Sequence, residues 1–521
     1  MAGFVDVLLR GAALCGQAIA VAGVVWSLLL LRPAVRARPA LAPLLDRSLV
    51  VLVLGAAVAA AAQLASLAVQ LGQLRGDGGW PVHEILAATF FRAAVARIVA
   101  CLGLIGVALA ARRDVARAGP ALVGCALVLV ASAAWLSHAA ARPGPRALLL
   151  VLDAVHQLAA GVWIGGLVHL LAAAARRGGA AWPALLLKRF SAVALAAVAA
   201  LVAVGVGLAM SYIDGLPGVL GTAYGMMVVT KTTIFALLLG LGALNFVAVR
   251  RLPATADVGP IRLRRFVEVE IGLGLTALFV AASLTSLPPA VDVVADRATF
   301  AEVATRFTPR WPTFTSSKLE EMPLADRYAP RTDADRAWSE FNHHVAGLFV
   351  LTMGLLAVLS TNGRARWTRQ WPLLFLGLAA VLVVRNDPGD WPLGPRSFWQ
   401  GMAAPEVLQH RVFMLLVVVF AVFEWMVRSG RLAARRCALV FPLVCAVGGA
   451  LLLTHSHASL NLKDEYLIEM THAPLGLLGM AVGWGRWLEL RLPHPDDRPP
   501  AWLWAVAFAL VGVLLLLYRE S

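Results

Sequence analysis

The chain has 521 residues, 60% of them hydrophobic and only 14% charged, with a formal net charge of +15. Soluble domains carry about 25% charged residues, so this composition excludes a soluble globular enzyme and defines an all-α integral membrane protein. The basic balance would point to nucleic acid only if the arginines formed a patch, and their placement along the chain assigns them otherwise.

About fourteen apolar stretches are long enough to span a bilayer, or nearly so. They run over residues 11–31, 48–74, 90–111, 119–138, 147–175, 190–213, 224–249, 266–287, 341–360, 370–385, 406–427, 437–456, 466–488 and 501–518. The tenth is the shortest. The start, MAGFVDVLLRG, lacks a strongly basic region, and the apolar run that follows is long for a signal peptide, so it reads as a retained first span. The five cysteines all fall in apolar segments with no C-x-x-C spacing, which argues against a disulfide framework or a zinc knuckle.

The loops test this count. Arg32, Arg36, Arg38 and Arg47 follow the first span, Arg112, Arg113 and Arg117 the third, and Arg250, Arg251, Arg262, Arg264 and Arg265 the seventh. The short even-numbered loops hold few basic residues. Such alternation follows the positive-inside rule and predicts a multi-pass protein with both termini outside. It also accounts for the net charge without nucleic acid. The prediction is two bundles, 1–287 and 341–521, joined by an external segment, 288–340, that lacks a core of its own. Thr332 and Asp335 have capping-box spacing, which would start the helix into the ninth span.

Chemistry inside a membrane is costly and therefore informative. The fifth span, Val151 to Leu171, carries Asp153, His156, Trp163 and the pair Gly165–Gly166. Asp153 and His156 are three apart and share a helix face, and the glycine pair permits close helix approach. Lys231, in the seventh span at similar depth, either pairs with Asp153 or snorkels to the surface. Arg92 and Arg97 are further intramembrane charges in the third span. In the second half His343, His344, His410, His455, His457 and His472 enter from one side at similar depth. Imidazole suits copper, zinc, iron and nickel. Five of these, His344, His410, His455, His457 and His472, join His156 as candidate metal ligands. Glu469 and His472 form a Glu-x-x-His pair, but a di-iron bundle needs two such pairs and further carboxylates. No Walker A loop, G-x-G-x-x-G or H-E-x-x-H occurs.

The segments HQLAAGVWIGGL (His156–Leu167), RFSAVALAAVAALVAVGVGLAMSYI (Arg189–Ile213), YGMMVVTKTTIFALLLGLGALN (Tyr224–Asn245) and RLRRFVEVEIGLGLTALFVAASLTSLPP (Arg262–Pro289) resemble the copper resistance protein D (CopD) family over about 150–290. The matching positions are His156, Trp163, Gly165, Gly166, Tyr224, Lys231 and Asn245. The resemblance implies a bacterial inner-membrane protein that handles copper ions, in some systems with a periplasmic CopC-type copper-binding partner. The C-terminal region, THSHASLNLKDEYLIEMTHAPLGLLGMAVGWGRWLELRL, looks like an addition that some long CopD-like proteins carry.

The leading expectation is therefore a non-enzymatic copper transporter or relay. Two alternatives come from other classes. One is a redox protein holding haem b between facing histidines; the other is a scaffold that docks a periplasmic copper chaperone on 288–340.

Overall fold

A computed structural model describes residues 2–76, 79–112, 114–142, 144–174, 182–253, 257–258, 261–324, 332–361, 363, 365–454, 462–492 and 494–520. Among the described residues, the regular structure is helical apart from a two-residue antiparallel pairing of Trp182–Pro183 with Asp257–Val258 and an isolated bridge between Asp390 and Arg396. Among the described residues, thirteen helices are long and apolar enough to cross a membrane.

The long helices are α1 (Ala2–Val25), α2 (Ala42–Gly76), α3 (Thr89–Ala111), α4 (Val115–Ala134), α5 (Arg146–Ala160), α6 (Ala184–Tyr212), α7 (Ala223–Arg250) and α8 (Ile261–Leu284). A short helix, α9 (Phe300–Phe307), leads to α10 (Asp333–Thr361), α11 (Leu374–Arg385), α12 (Pro405–Arg428), α13 (Val440–Thr454), α14 (Leu462–Arg491) and α15 (Ala501–Leu516). The short tenth stretch is α-helical for only 12 residues, and a 3-10 run, Arg366–Leu373, extends it. The expected span at 466–488 folds as the 30-residue α14. It is long enough to cross, but Glu469, Thr471 and His472 lower its apolarity and keep it outside the thirteen.

Local chemistry sets the helix starts. Asp114 accepts hydrogen bonds from the backbone N–H of Ala116 and Arg117 and so caps α4. The Thr332–Asp335 capping box forms in both directions: Thr332 N–H donates to the Asp335 carboxylate at 2.8 Å, and Asp335 N–H to the Thr332 hydroxyl at 3.3 Å. α5 does not end at Ala160. It widens into a π-helical turn, Gly161–Gly165, and resumes as Gly166–Ala174. Such π-turns cluster at functional sites.

Contacts divide the chain into two units, Ala2–Arg297 and Ala298–Ser521. In the first, small residues let α1, α2, α3 and α4 approach closely around Ala20, Leu52, Leu104 and Leu122, all buried. A Cβ on Gly165 would lie 2.1 Å from the Ala18 carbonyl oxygen, and one on Gly166 would lie 2.4 Å from Phe190 Cε2. The π-turn therefore packs backbone to backbone on α1. In the second unit, Trp371, Phe441, Trp504 and Phe508 form an aromatic core. The guanidinium of Arg428 lies 4.5 Å from the Trp371 ring centroid and 5.3 Å from that of Trp504, and it pairs with Glu424 at 2.6 Å. Cation–π contacts and the carboxylate together hold a charge that would be costly alone.

Candidate functional site

The fifth span places Asp153, His156 and Gln157 on neighbouring positions of one helical surface. Lys231 Nζ, on α7, lies 3.3 Å from His156 Nε2. The Asp153 carboxylate instead accepts a hydrogen bond from Gln157 Nε2 at 2.7 Å, one turn along α5. The direct Asp153–Lys231 ion pair expected as one option is thus replaced by a lysine–imidazole contact, although Lys231 and Asp153 still interact electrostatically. Snorkelling is not what Lys231 does: its amine turns to the part-buried ring of His156. The other ring nitrogen, His156 Nδ1, is buried without a hydrogen-bond partner. Gly205 on α6 lies beside it, and a Cβ there would come 3.7 Å from Nδ1.

A row of polar side chains runs from this point into the bundle. Arg97 on α3 donates to Gln63 Oε1 at 2.9 Å and to Gln17 Oε1 at 3.0 Å. Gln17 Nε2 donates to Gln157 Oε1 at 2.9 Å, and Gln157 donates to Asp153. Guanidinium can only donate and carboxylate can only accept, so the orientation of both intervening amides is fixed by chemistry. Arg97, Gln17 and Gln63 are all buried. Arg97 was visible in the sequence as an intramembrane charge. Its glutamine partners were missed, because an isolated Gln in an apolar stretch carries no periodic or spacing signal.

At the arginine-poor end, Ser137, His138 and Lys231 face Asp153. The His138, Tyr212 and Tyr224 rings form a triangle with centroids 6.1–6.2 Å apart. His138 Nε2 is 3.0 Å from the Leu284 carbonyl, so that nitrogen carries the proton. Arg142 lies over the Tyr212 ring. This end therefore has an aromatic and imidazole collar next to a carboxylate, and sequence spacing gave no hint of the Tyr212–Tyr224 contact.

Among the described residues, the histidines of the second unit have different immediate partners. His344 has Nδ1 2.8 Å from the Thr313 carbonyl and Nε2 3.0 Å from the Tyr518 carbonyl, so neither nitrogen is open to a metal as placed. His343 stacks on Tyr518 with ring centroids 3.8 Å apart, and His472 lies 6.1 Å from His343. His472 Nδ1 is 3.0 Å from the Ile468 carbonyl one turn back. His410 is half-exposed, and its Nδ1 meets Asp387 Oδ1 at 2.8 Å. A carboxylate that holds one ring nitrogen and leaves the other outward is the arrangement found behind metal-binding histidines. His455 and His457 lie outside the described residues. Among the described residues, no group of three His, Cys, Asp or Glu side chains is placed to hold a metal ion.

Helical spans throughout and an internal polar row define a multi-pass membrane protein, and residues 184–284, covering α6 to α8, match the family model of copper resistance protein D. The chain therefore carries a CopD family domain. A curated relative is the copper transport protein CutJ of Bacillus subtilis (strain 168), 30% identical over 165 residues. That match takes in 31% of this chain and 29% of the relative, so the chain spans under a third of the protein it matches. No solved structure matches the chain. The domain lies within the stretch that the sequence motifs mark, and the His156–Trp163–Gly165–Gly166 helix precedes it.

Proposed function

We propose that this protein handles copper in the bacterial inner membrane, moving or relaying the ion between periplasm and cytoplasm, with both termini periplasmic. One observation carries the reading: His156, with its orphaned Nδ1, sits against Lys231 of the CopD domain at a collar that also holds Asp153. The roles follow from chemistry. Asp153 draws a cation past the Tyr212–Tyr224–His138 collar. His156 supplies a nitrogen donor suited to copper, with Gly205 leaving room beside it. The Arg97–Gln17–Gln157 row holds the carboxylate in place.

Among the described residues of the second unit, His410, backed by Asp387 and half-exposed, is the group best placed to meet copper delivered by a periplasmic CopC-type partner. Binding at neutral imidazole weakens as pH falls below about 6. The haem b alternative finds less support. In the one described cluster where two of these histidines approach each other, Tyr518 stacks on His343 and takes up space a porphyrin needs.

The deciding experiment is metal analysis with a visible absorption spectrum on purified protein before and after Cu(I) is added, followed by copper flux in proteoliposomes. Stoichiometric copper without a Soret band, and flux lost in His156→Ala and Asp153→Asn, is expected. A Soret band with little copper, or flux unchanged in both variants, overturns the reading.

A further inference from the structure

The arginine-rich end of the first unit contains a half-enclosed cavity of about 240 Å³. Its walls are apolar and aromatic, with Trp163, Phe190 and Phe246 among them, and its polar lining includes Asn245 and Glu270. Both polar residues are buried, Glu270 to 2% exposure, and Asn245 Nδ2 donates a hydrogen bond to Glu270 Oε1. Glu270 Oε2 and Asn245 Oδ1 have no hydrogen-bond partner among the described residues. Gly242 keeps the space next to them open: a Cβ there would lie 3.8 Å from Glu270 Oε2 and 4.0 Å from Trp163 Cζ2.

The cavity is walled by α6, α7, α8 and the continuation of α5, and the outer faces of α6 and α7 are lipid-like in character. Leu195, which lines it, is 55% exposed, and Val202, Val206, Leu237 and Leu244 are exposed beside it on the same two helices. Three aromatic walls suit a flat ring, and two acceptor oxygens in an apolar pocket call for a ligand that donates. A phospholipid headgroup would bring a phosphate against a carboxyl group, and an acyl chain would leave both oxygens unsatisfied.

We propose that this cleft binds the ring of a lipid-soluble quinol, which enters between α6 and α7 and hydrogen-bonds to the Asn245–Glu270 pair. The site stands apart from the Asp153–His156 collar and does not depend on the copper reading.

The test is saturable quenching of 2-heptyl-4-hydroxyquinoline N-oxide fluorescence by the detergent-purified full chain, with decylubiquinol and a phosphatidylglycerol as competitors. Expected are one site per chain, displacement by decylubiquinol alone, at least tenfold weaker binding in Gly242→Leu, and a smaller loss in Glu270→Gln. Thermal midpoints and gel filtration report on folding, and Ala194→Phe, at the cleft lining on α6, replaces Gly242→Leu if that variant misfolds. Non-saturable quenching, equal displacement by the phospholipid, or full affinity in the folded blocking variant overturns the proposal.

Discussion

Lys231 and His156 lie 75 residues apart in the chain, yet the amine of one sits 3.3 Å from the ring nitrogen of the other. Residues in direct contact do not act independently. Lys231→Met and His156→Ala should each reduce copper flux in proteoliposomes at least fivefold. The double variant should be no worse than the poorer single one. Strictly multiplicative losses would show that the contact has no part in transport.

Arg97 anchors two glutamines inside the bundle. In Arg97→Met, the oxygens of Gln17 and Gln63 lose their donors while remaining buried. Leaving buried polar groups unsatisfied costs about 1–3 kcal/mol each, so the variant should unfold at a markedly lower temperature in detergent. Arg97→Lys should recover only part of the loss, since one ammonium replaces a fork whose two arms reach two different acceptors. A midpoint unchanged in Arg97→Met would contradict the row as a stabilising element.

Gly165→Ala should be among the most damaging one-carbon changes in the chain. The added methyl would meet the Ala18 carbonyl, and backbone on both sides leaves nothing flexible to yield. Overpacking of this kind costs about 1–3 kcal/mol or more. Thermal unfolding should report it, while Gly106→Ala on α3, where a Cβ meets nothing within 4 Å, should be silent or slightly stabilising.

Between the spans, Lys463 pairs with Glu302 at 2.6 Å and ties α9 to the first turn of α14. That hydrogen bond, followed by those from Thr299, lowers the Glu302 carboxyl to about 2. A depressed folded value means the contribution is present above the unfolded value of about 4.3 and is lost as pH falls through about 2. Both side chains are about a third exposed, so solvent screening keeps the effect small. Protection of the α9 amides from hydrogen exchange, taken relative to the intrinsic rate at each pH, should hold down to about pH 4 and fall modestly below it. Glu302→Gln should show a modest loss of that protection at neutral pH.

The spans and capping sites were legible because they rest on local properties. Hydropathy over about twenty residues marks a membrane helix whatever its neighbours, and Thr332–Asp335 needs only three-residue spacing. The partners of the buried charges were not. Lys231 could be set at the depth of Asp153 by counting residues, but which way its side chain turns depends on how α5 and α7 are rotated, and no residue count gives rotation. The same limit applies to the second unit, where a shared depth suggested a shared site. Depth placed His343, His344, His410 and His472 on one level, yet His344 is engaged by backbone carbonyls of distant segments and His410 by Asp387.

The Arg97–Gln17–Gln157–Asp153 row also has a mechanical meaning. It links α3, α1 and α5 at one level, with Gln63 adding α2, and each link accepts a single direction of donor and acceptor. Neither glutamine can turn alone without setting like poles against each other. Sliding one helix by a single turn, about 5.4 Å, would part every bond in the row it shares. The four side chains therefore act as a crossbolt: the helices around Asp153 are held in register, and any sliding motion within that unit must occur elsewhere.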